Sequence, residues 1–299
     1  MKEKNKKVLQ TVIKFIVSGV LIIYLFTTKL DTSELVNNFK IMDWRFILPI
    51  FLTLTANYVV GAFRWKALLI QKGSENVSRW YLIKLYFIGA FFNNFMPTSI
   101  GGDVYKMVTL GKKVGDQAVG FSSVFTERFT GILMLALIGL LSTSRNLGVG
   151  VLIILIWIAA GFYIAMTVLR LLSGKIKFLG KVYNSLMMYK DSPKVLGYAF
   201  LTSIVIQLCS ISTQYLIFAA VGVNLPIFYS LMAFPVITLA GFFIPSINGL
   251  GVQDALYASM FAIVGVSNST AISVSILYHM ARMAISLVGG VIYAITKDS

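Results

Sequence analysis

Long apolar runs alternate with short polar or basic segments along the whole chain. A helix needs about 20 residues to cross the hydrocarbon core of a bilayer, and six runs approach or exceed that length. These predicted spans lie near residues 8–27, 46–63, 118–141, 147–169, 195–221 and 271–296. The pattern predicts an all-α, polytopic membrane protein. No small-x-small cleavage site follows the first run, which we therefore interpret as an uncleaved span rather than a signal peptide.

Two further apolar regions, 80–110 and 228–266, contain prolines and glycines that should end a helix. Their central phrases are similar: Phe95-Met96-Pro97-Thr98-Ser99-Ile100-Gly101-Gly102-Asp103 and Phe243-Ile244-Pro245-Ser246-Ile247-Asn248-Gly249-Leu250-Gly251. Interrupted apolar segments at matching places in two halves are typical of transporters built from inverted repeats. We therefore predict one membrane domain with two pseudo-repeats, 1–148 and 149–299, each containing one broken hairpin.

Basic residues indicate which segments face the cytoplasm. Lys and Arg are concentrated at the N-terminus and in segments 64–79, 106–113 and 170–194, and Lys297 adds one near the C-terminus. The positive-inside rule places all of these on one side, which requires 80–110 to enter and leave from the cytoplasm. The uncharged flanks of 228–266 then make it a hairpin that enters from the other side. We predict six full spans, two re-entrant hairpins and cytoplasmic termini in the cell membrane; the alternative is eight ordinary spans with a kinked pair.

Composition supports a membrane location and excludes several classes of site. The chain is 58% hydrophobic and 12% charged, whereas soluble domains carry about 25% charged residues. The net charge of +15 is spread over short loops, so anionic lipid headgroups explain it better than nucleic acid does. A single cysteine, Cys209, and a single histidine, His279, exclude an intrachain disulfide and a Cys or multi-His metal cluster. We predict no cofactor.

The tips of the two broken hairpins are candidate binding elements. Backbone groups freed by a helix break cannot face lipid, and the positive end of a half-helix favours an anion. In the first hairpin, Thr98 and Ser99 are predicted to cap the helix that starts near Asp103, and Gly101 and Gly102 allow a ligand to approach the backbone.

In the second hairpin, Ser246 or Asn248 is the predicted cap of the following helix, and Gly249 and Gly251 lie beside them. Two tips that meet near the midplane would form a polar pocket suited to a phosphate. The alternative is that both breaks are packing kinks. The tryptophans Trp44, Trp65 and Trp80 lie near span ends, which predicts an interfacial belt.

Charged residues at membrane depth complete the candidate set. Asp103 and Lys106 are three residues apart, so they share a helix face and can pair. Glu127 and Arg128 are adjacent and point about 100° apart on a helix, which predicts different partners for each. The cations suit a lipid phosphate, and Glu127 suits a headgroup ammonium or a coupling proton.

The second half adds Asp254, one turn into its broken hairpin, and His279 with Arg282 on one face of the last span. Arg282 suits a phosphate, Asp254 an ammonium or a proton, and His279 is either part of the site or a buried polar filler. No nucleotide loop, Ser-His-Asp set or hydrolase carboxylate pair occurs, so the residues give no basis for an enzyme.

Four motifs in order resemble the lysylphosphatidylglycerol synthase transmembrane region, the flippase part of the multiple peptide resistance factor. They are Arg64-Trp65-Lys66-Ala67-Leu68-Leu69; Phe91-Phe92-Asn93-Asn94 leading to Pro97 and Gly101-Gly102-Asp103; Glu127-Arg128 followed by Gly131; and Pro245-Ser246 through Gly249-Leu250-Gly251-Val252-Gln253-Asp254. The resemblance covers about residues 10–296. It implies transbilayer movement of a lipid, which in the full-length synthase is an aminoacylated phosphatidylglycerol.

The positions that the resemblance carries over are Asp103, Glu127, Arg128 and Asp254. The pattern has Arg where this chain has Lys106 and Glu where it has Asp254, which changes reach and bidentate bonding toward a headgroup. The implied partner is an anionic or aminoacylated phospholipid.

The synthase transfers lysine from charged tRNA with a large soluble C-terminal domain, whereas this chain ends three residues past the last predicted span. We therefore expect a lipid flippase or transporter that works by alternating access, and no lysyl transfer by this polypeptide alone. Two other functions stay open: the membrane subunit of a phosphatidylglycerol lysyltransferase whose synthase domain is a separate chain, and a solute or ion transporter of similar design. Self-association also stays open.

Overall fold

The computed structural model describes Val20, Ile23 and residues 32–70, 73–95, 100–147, 150–244, 246 and 248–297. Within these residues the protein contains helices and no strand. The helices are α1 (Thr32–Ile41), a 3₁₀ turn (Trp44–Phe46), α2 (Ile47–Ala67), α3 (Arg79–Phe95), α4 (Gly101–Val114), α5 (Gln117–Leu147), α6 (Val151–Ser173), α7 (Lys177–Met187), α8 (Pro193–Ala220), α9 (Ile227–Phe243), α10 (Val252–Ala262) and α11 (Asn268–Lys297).

Four stretches of helix are long and apolar enough to cross a membrane. They are Trp44–Ala67, Gln117–Ser144, Pro193–Ala220 and Asn268–Thr296. They coincide with four of the six predicted spans, so the chain is a multi-pass membrane protein. The span predicted at 147–169 corresponds to α6, which has 23 residues. Apart from Val20 and Ile23, the span predicted at 8–27 lies outside the described residues.

Both Pro/Gly regions are broken where the sequence predicts. The first forms α3 and α4, which have 17 and 14 residues, and the second forms α9 and α10, which have 17 and 11. Each helix is shorter than the roughly 20 residues of a full span. Their entry and exit from one membrane face remains a prediction.

The chain divides into two compact units that each combine distant segments. The α11 unit comprises Met1–Ala56, Phe87–Gly102 and Cys209–Ser299, and the α5 unit comprises Asn57–Tyr86 and Asp103–Leu208. The two sequence repeats, 1–148 and 149–299, remain a prediction.

Trp65 is the centre of the core of the α5 unit. It is fully buried among Leu82, Leu110 and Val124, and its indole N–H donates to the Ser123 hydroxyl over 3.0 Å. The predicted belt is therefore wrong for Trp65, whose N–H finds a protein partner and so tolerates burial. Trp44 and Trp80 are exposed.

Aromatic side chains form the corresponding core of the α11 unit. Tyr257 and Phe261 of α10 contact Phe218 of α8 and Phe234 of α9, with ring centroids 4.5–6.1 Å apart. The buried Tyr257 hydroxyl donates to Gln214 of α8 over 2.6 Å. This core holds the short α10 against the helices around it.

Glycines allow backbone contact with α3 in the α11 unit. A Cβ built on Gly102 would lie 1.8 Å from the Gly89 carbonyl oxygen, and one on Gly289 would lie 1.9 Å from that of Phe87. Both obstructing atoms belong to backbone and cannot rotate away. The absence of a side chain at Gly102 therefore allows the start of α4 to pack closely against α3.

We expect Gly102→Ala to lower the melting temperature of the purified protein in detergent. The added methyl group must displace the α3 backbone, and overpacking of this kind costs about 1–3 kcal/mol or more. Gly197→Ala is the matched control, because Gly197 lies on an exposed face of α8 with no atom within 4 Å of the added Cβ. Equal melting temperatures for Gly102→Ala and Gly197→Ala would contradict the contact with Gly89.

Candidate functional site

Five charged side chains of the α5 unit form one network, which we call the α5 charge cluster. Its members come from α2, α4 and α5, and they are Arg64, Asp103, Lys106, Glu127 and Arg128. Three are cations and two are carboxylates, so with all groups ionised one positive charge is in excess. Such groups are costly at membrane depth unless they pair or face a cavity.

Glu127 connects two helices of the cluster to a third. Its Oε1 accepts from Arg64 Nη2 on α2 and its Oε2 from Lys106 Nζ on α4, each over 3.0 Å. The Glu127 side chain is only 2% exposed. Because both oxygens have a cationic donor, the carboxylate is compensated where it lies.

Asp103 and Arg128 form the second pair of the cluster. Arg128 Nε and Nη2 each donate to one carboxylate oxygen of Asp103 over 2.8 Å, which is the strong bidentate geometry. Lys106 Nζ lies 3.7 Å from Asp103 Oδ1. The pairing predicted for Asp103 and Lys106 is confirmed, and so are separate partners for Glu127 and Arg128.

Aromatic rings surround the Lys106 ammonium. It lies 4.0 Å from the centroid of the Tyr86 ring and 4.8 Å from that of Trp65. A desolvated cation over such ring faces gains about 2 kcal/mol. Lys106 is therefore fixed inside the unit, and its role as a direct phosphate ligand has less support than that of Arg128.

Arg64 belongs to the cluster although the sequence analysis assigned it to a cytoplasmic loop. Its Nη1 donates to the Ser203 hydroxyl of α8 over 2.7 Å, and its buried Nε has no hydrogen-bond partner in the described part of the chain. Lys66, two residues later, donates instead to the carbonyl oxygens of Ser74 and Glu75. The available signal was that Trp65 and the apolar Ala67-Leu68-Leu69-Ile70 follow Arg64 closely, so apolar sequence continues beyond it.

The α11 unit contains a second polar group around Asp254. Its Oδ2 accepts from the Gly251 backbone N–H over 2.8 Å, and its Oδ1 accepts from the Ser275 hydroxyl over 2.5 Å. His279 Nε2 lies 3.5 Å from Oδ1. The structure thus brings together Asp254 of α10 and His279 of α11, which the sequence analysis named as separate candidates.

Two asparagines and Arg282 join the end of α3 to the loop before α10. Asn248 Nδ2 donates to Asn94 Oδ1 over 2.5 Å, and Arg282 Nη2 donates to Asn248 Oδ1 over 3.2 Å. Asn94 Nδ2 closes the set by donating to the Arg282 carbonyl oxygen over 3.2 Å. Asn94 was missed as a site residue, although the amide pair Asn93-Asn94 inside an apolar run was a signal.

Polar side chains accept from backbone N–H groups at the start of both helices that follow a break. Thr98 and Ser99 lie outside the described residues; Asn93 Oδ1 accepts from the Gly102 N–H over 2.8 Å at the start of α4. At α10, Asp254 accepts from Gly251, whereas Asn248 faces Asn94 and Arg282. The predicted cap by Asn248 is therefore wrong, because its amide meets partners on other helices.

The loop before α10 adopts a backbone that requires its glycines. Gly249 and Gly251 have φ of +87° and +82°, in the left-handed region that glycine tolerates, and Asn248 has φ of +50°. The buried Ser246 hydroxyl donates to the Ile244 carbonyl oxygen over 3.3 Å. No group of three or more His, Cys, Asp or Glu residues able to hold a metal occurs among the described residues.

The lysylphosphatidylglycerol synthase TM region family matches residues 11–290, which is most of the chain and includes both polar groups. The chain belongs to this family. No curated protein matches it. The resemblance seen in the four motifs is confirmed, and the protein is a membrane protein of a family concerned with lipid modification or transport.

We expect Glu127→Gln to destabilise this member of the synthase TM region family. Removing the carboxylate leaves Arg64 and Lys106 buried without their main counter-charge, and breaking a buried pair costs about 3–5 kcal/mol. The measurement is the melting temperature in detergent. Glu75→Gln is the control, because the Glu75 carboxylate is exposed and, among the described residues, accepts from the Gly73 N–H rather than from a buried cation. A melting temperature of Glu127→Gln equal to that of the wild type would contradict the stabilising role of Glu127 in the cluster.

Proposed function

We propose that the protein translocates a phospholipid across the cytoplasmic membrane and that Arg128 binds the lipid phosphate. The proposal is supported by family membership and by the excess positive charge of the α5 charge cluster. A guanidinium matches phosphate geometry and stays charged when it is partly desolvated.

The observation that carries the proposal is the exposure of Arg128. Its side chain is 43% exposed, whereas the other four members of the cluster are at most 7% exposed. The pair with Asp103 uses Nε and Nη2, and none of the contacts among the described residues involves Nη1. A lipid phosphate would accept from Nη1 while Asp103 holds the guanidinium in place.

The remaining site residues have separate roles in the proposed cycle. Arg282, with Asn248 and Asn94, is a second polar contact site for a headgroup, and Asp254 would hold either a headgroup ammonium or a coupling proton. The two broken helix pairs would act as re-entrant hairpins that open alternately to each side. Cytoplasmic termini are supported by the distribution of Lys and Arg along the sequence.

We expect Arg128→Ala to slow translocation of a fluorescent anionic phospholipid in proteoliposomes at least about tenfold. The variant loses a charge-assisted hydrogen bond to the phosphate, which is worth about 1.5–3 kcal/mol. The measurement is the fraction of lipid that a membrane-impermeant reductant can reach over time. Arg170→Ala is the matched control, because it removes one exposed cation at the end of α6 and should leave the rate unchanged.

The variant Asp103→Asn/Arg128→Ala separates binding from folding. It removes both partners of the bidentate pair and leaves no carboxylate without its arginine. We expect a melting temperature closer to that of the wild type than Arg128→Ala gives, and translocation as slow as in Arg128→Ala. Wild-type translocation by either folded variant would overturn the assignment of Arg128.

A second candidate function follows from the family itself, which is defined by the membrane region of a synthase. The chain would then be the membrane component of a phosphatidylglycerol lysyltransferase. Deleting it would remove lysylphosphatidylglycerol from lipid extracts of the cell. Under the translocation proposal, total lysylphosphatidylglycerol is unchanged and only its distribution between the two leaflets shifts.

A further inference from the structure

The Asp254 carboxylate is buried with neutral hydrogen-bond partners. Its side chain is 7% exposed, and its oxygens accept from the Gly251 N–H and the Ser275 hydroxyl. Neither partner carries a charge. Hydrogen bonds therefore hold the carboxylate in place without balancing its negative charge, in contrast to the two cations that hold Glu127.

His279 is the one titratable cation within 4 Å of Asp254 in the described part of the chain. Its Nε2 lies 3.5 Å from Asp254 Oδ1, is buried, and has no hydrogen-bond partner among the described residues. An unsatisfied ring nitrogen at this distance needs only a small approach to donate to the carboxylate. The pair is thus arranged for an imidazolium–carboxylate contact.

The other titratable and charged groups on the packed helices have their own partners or lie further away. Tyr257 of α10 donates to Gln214 of α8, and the Arg282 guanidinium donates to Asn248 and lies 5.4 Å from the Tyr278 ring. On α1, Glu34 accepts from Ser267 and Thr270 at the start of α11, more than two turns before His279. From α3 and from the loop before α10, the polar side chains in this region are the amides of Asn94 and Asn248, which do not titrate.

Charge balance favours one proton on this pair. With a neutral imidazole and an ionised carboxylate, the pair has a net charge of −1, which is costly in a buried site. Binding one proton from water gives an imidazolium beside a carboxylate with a net charge of zero. Protonation of Glu127 would do the opposite, because it would leave Arg64 and Lys106 uncompensated.

We propose that Asp254 and His279 form a proton-binding site of the α11 unit, and that uptake and release of this proton drive lipid movement. Proton binding stands on the geometry alone, whereas its coupling to lipid rests on the function proposed above. The proposal assigns different roles to the two buried acids. Glu127 stabilises the packing of its helices, and Asp254 binds a proton together with His279.

The single histidine of the chain makes the pair directly observable. Full-length protein purified with a histidine-free tag and labelled with ¹⁵N-histidine gives one imidazole signal set, which is followed by NMR against pH in nanodiscs. We expect the midpoint of this pH dependence to differ between Asp254→Asn and the wild type, because the carboxylate beside the ring is gone.

Two variants keep this test decisive. Ser273→Ala is the control, because the Ser273 hydroxyl binds the Ser269 carbonyl oxygen and Asn38 on a different face of α11 and should leave the midpoint unchanged. Asp254→Glu keeps the charge and should keep the midpoint close to the wild-type value even if Asp254→Asn folds poorly. A midpoint that is the same in Asp254→Asn and Asp254→Glu would overturn the proton site.

Proteoliposomes test the coupling. If one proton moves with each lipid, a gradient of one pH unit shifts the lipid distribution about tenfold from equality, and a protonophore abolishes the shift. We expect His279→Gln to lose this response and Ser273→Ala to keep it. Translocation by the wild type that ignores the gradient would overturn the coupling. Absence of translocation in every sample, with the NMR result intact, would instead overturn the proposed function and leave the proton site standing.

Discussion

Glu127 holds the α5 unit together, because its two oxygens accept from cations on two other helices, Arg64 on α2 and Lys106 on α4. A buried carboxylate is costly unless its oxygens meet donors, and here each oxygen has one. The contacts of Arg64 with Ser203 and of Lys106 with the Tyr86 ring extend this arrangement to α8 and α3. The position of Arg128, one residue after Glu127 on α5, is a consequence of the same anchor.

The two units stabilise their buried polar side chains in different ways. The α5 unit neutralises charges with opposite charges, whereas the α11 unit surrounds Asp254 and Arg282 with hydroxyl, amide and backbone groups. Ion pairs are hard to separate in a low-dielectric interior, and neutral hydrogen bonds exchange more readily. The polar group of the α11 unit is therefore better suited to a change of protonation or of contacts during a cycle.

Local helical geometry explains what the sequence could predict. Run length located four spans, Pro/Gly phrases located both breaks, and residue spacing paired Asp103 with Lys106 and separated the partners of Glu127 and Arg128. The features that one sequence could not reveal all depend on distant contacts. The burial of Trp65 needs Ser123, and the contact of Gly102 with Gly89 needs two helices to meet.

The pairing of Arg64 has a consequence for how the protein is made. Glu127 follows Arg64 by 63 residues, so this carboxylate has not yet been synthesised when α2 first meets the membrane. At that stage Arg64 is an unpaired cation at the end of a span, and it contributes to orienting that span as any loop arginine does. Its withdrawal into the protein must come after α5 has inserted. One side chain thus acts first as an orientation signal during biosynthesis and later as an internal cross-link between helices.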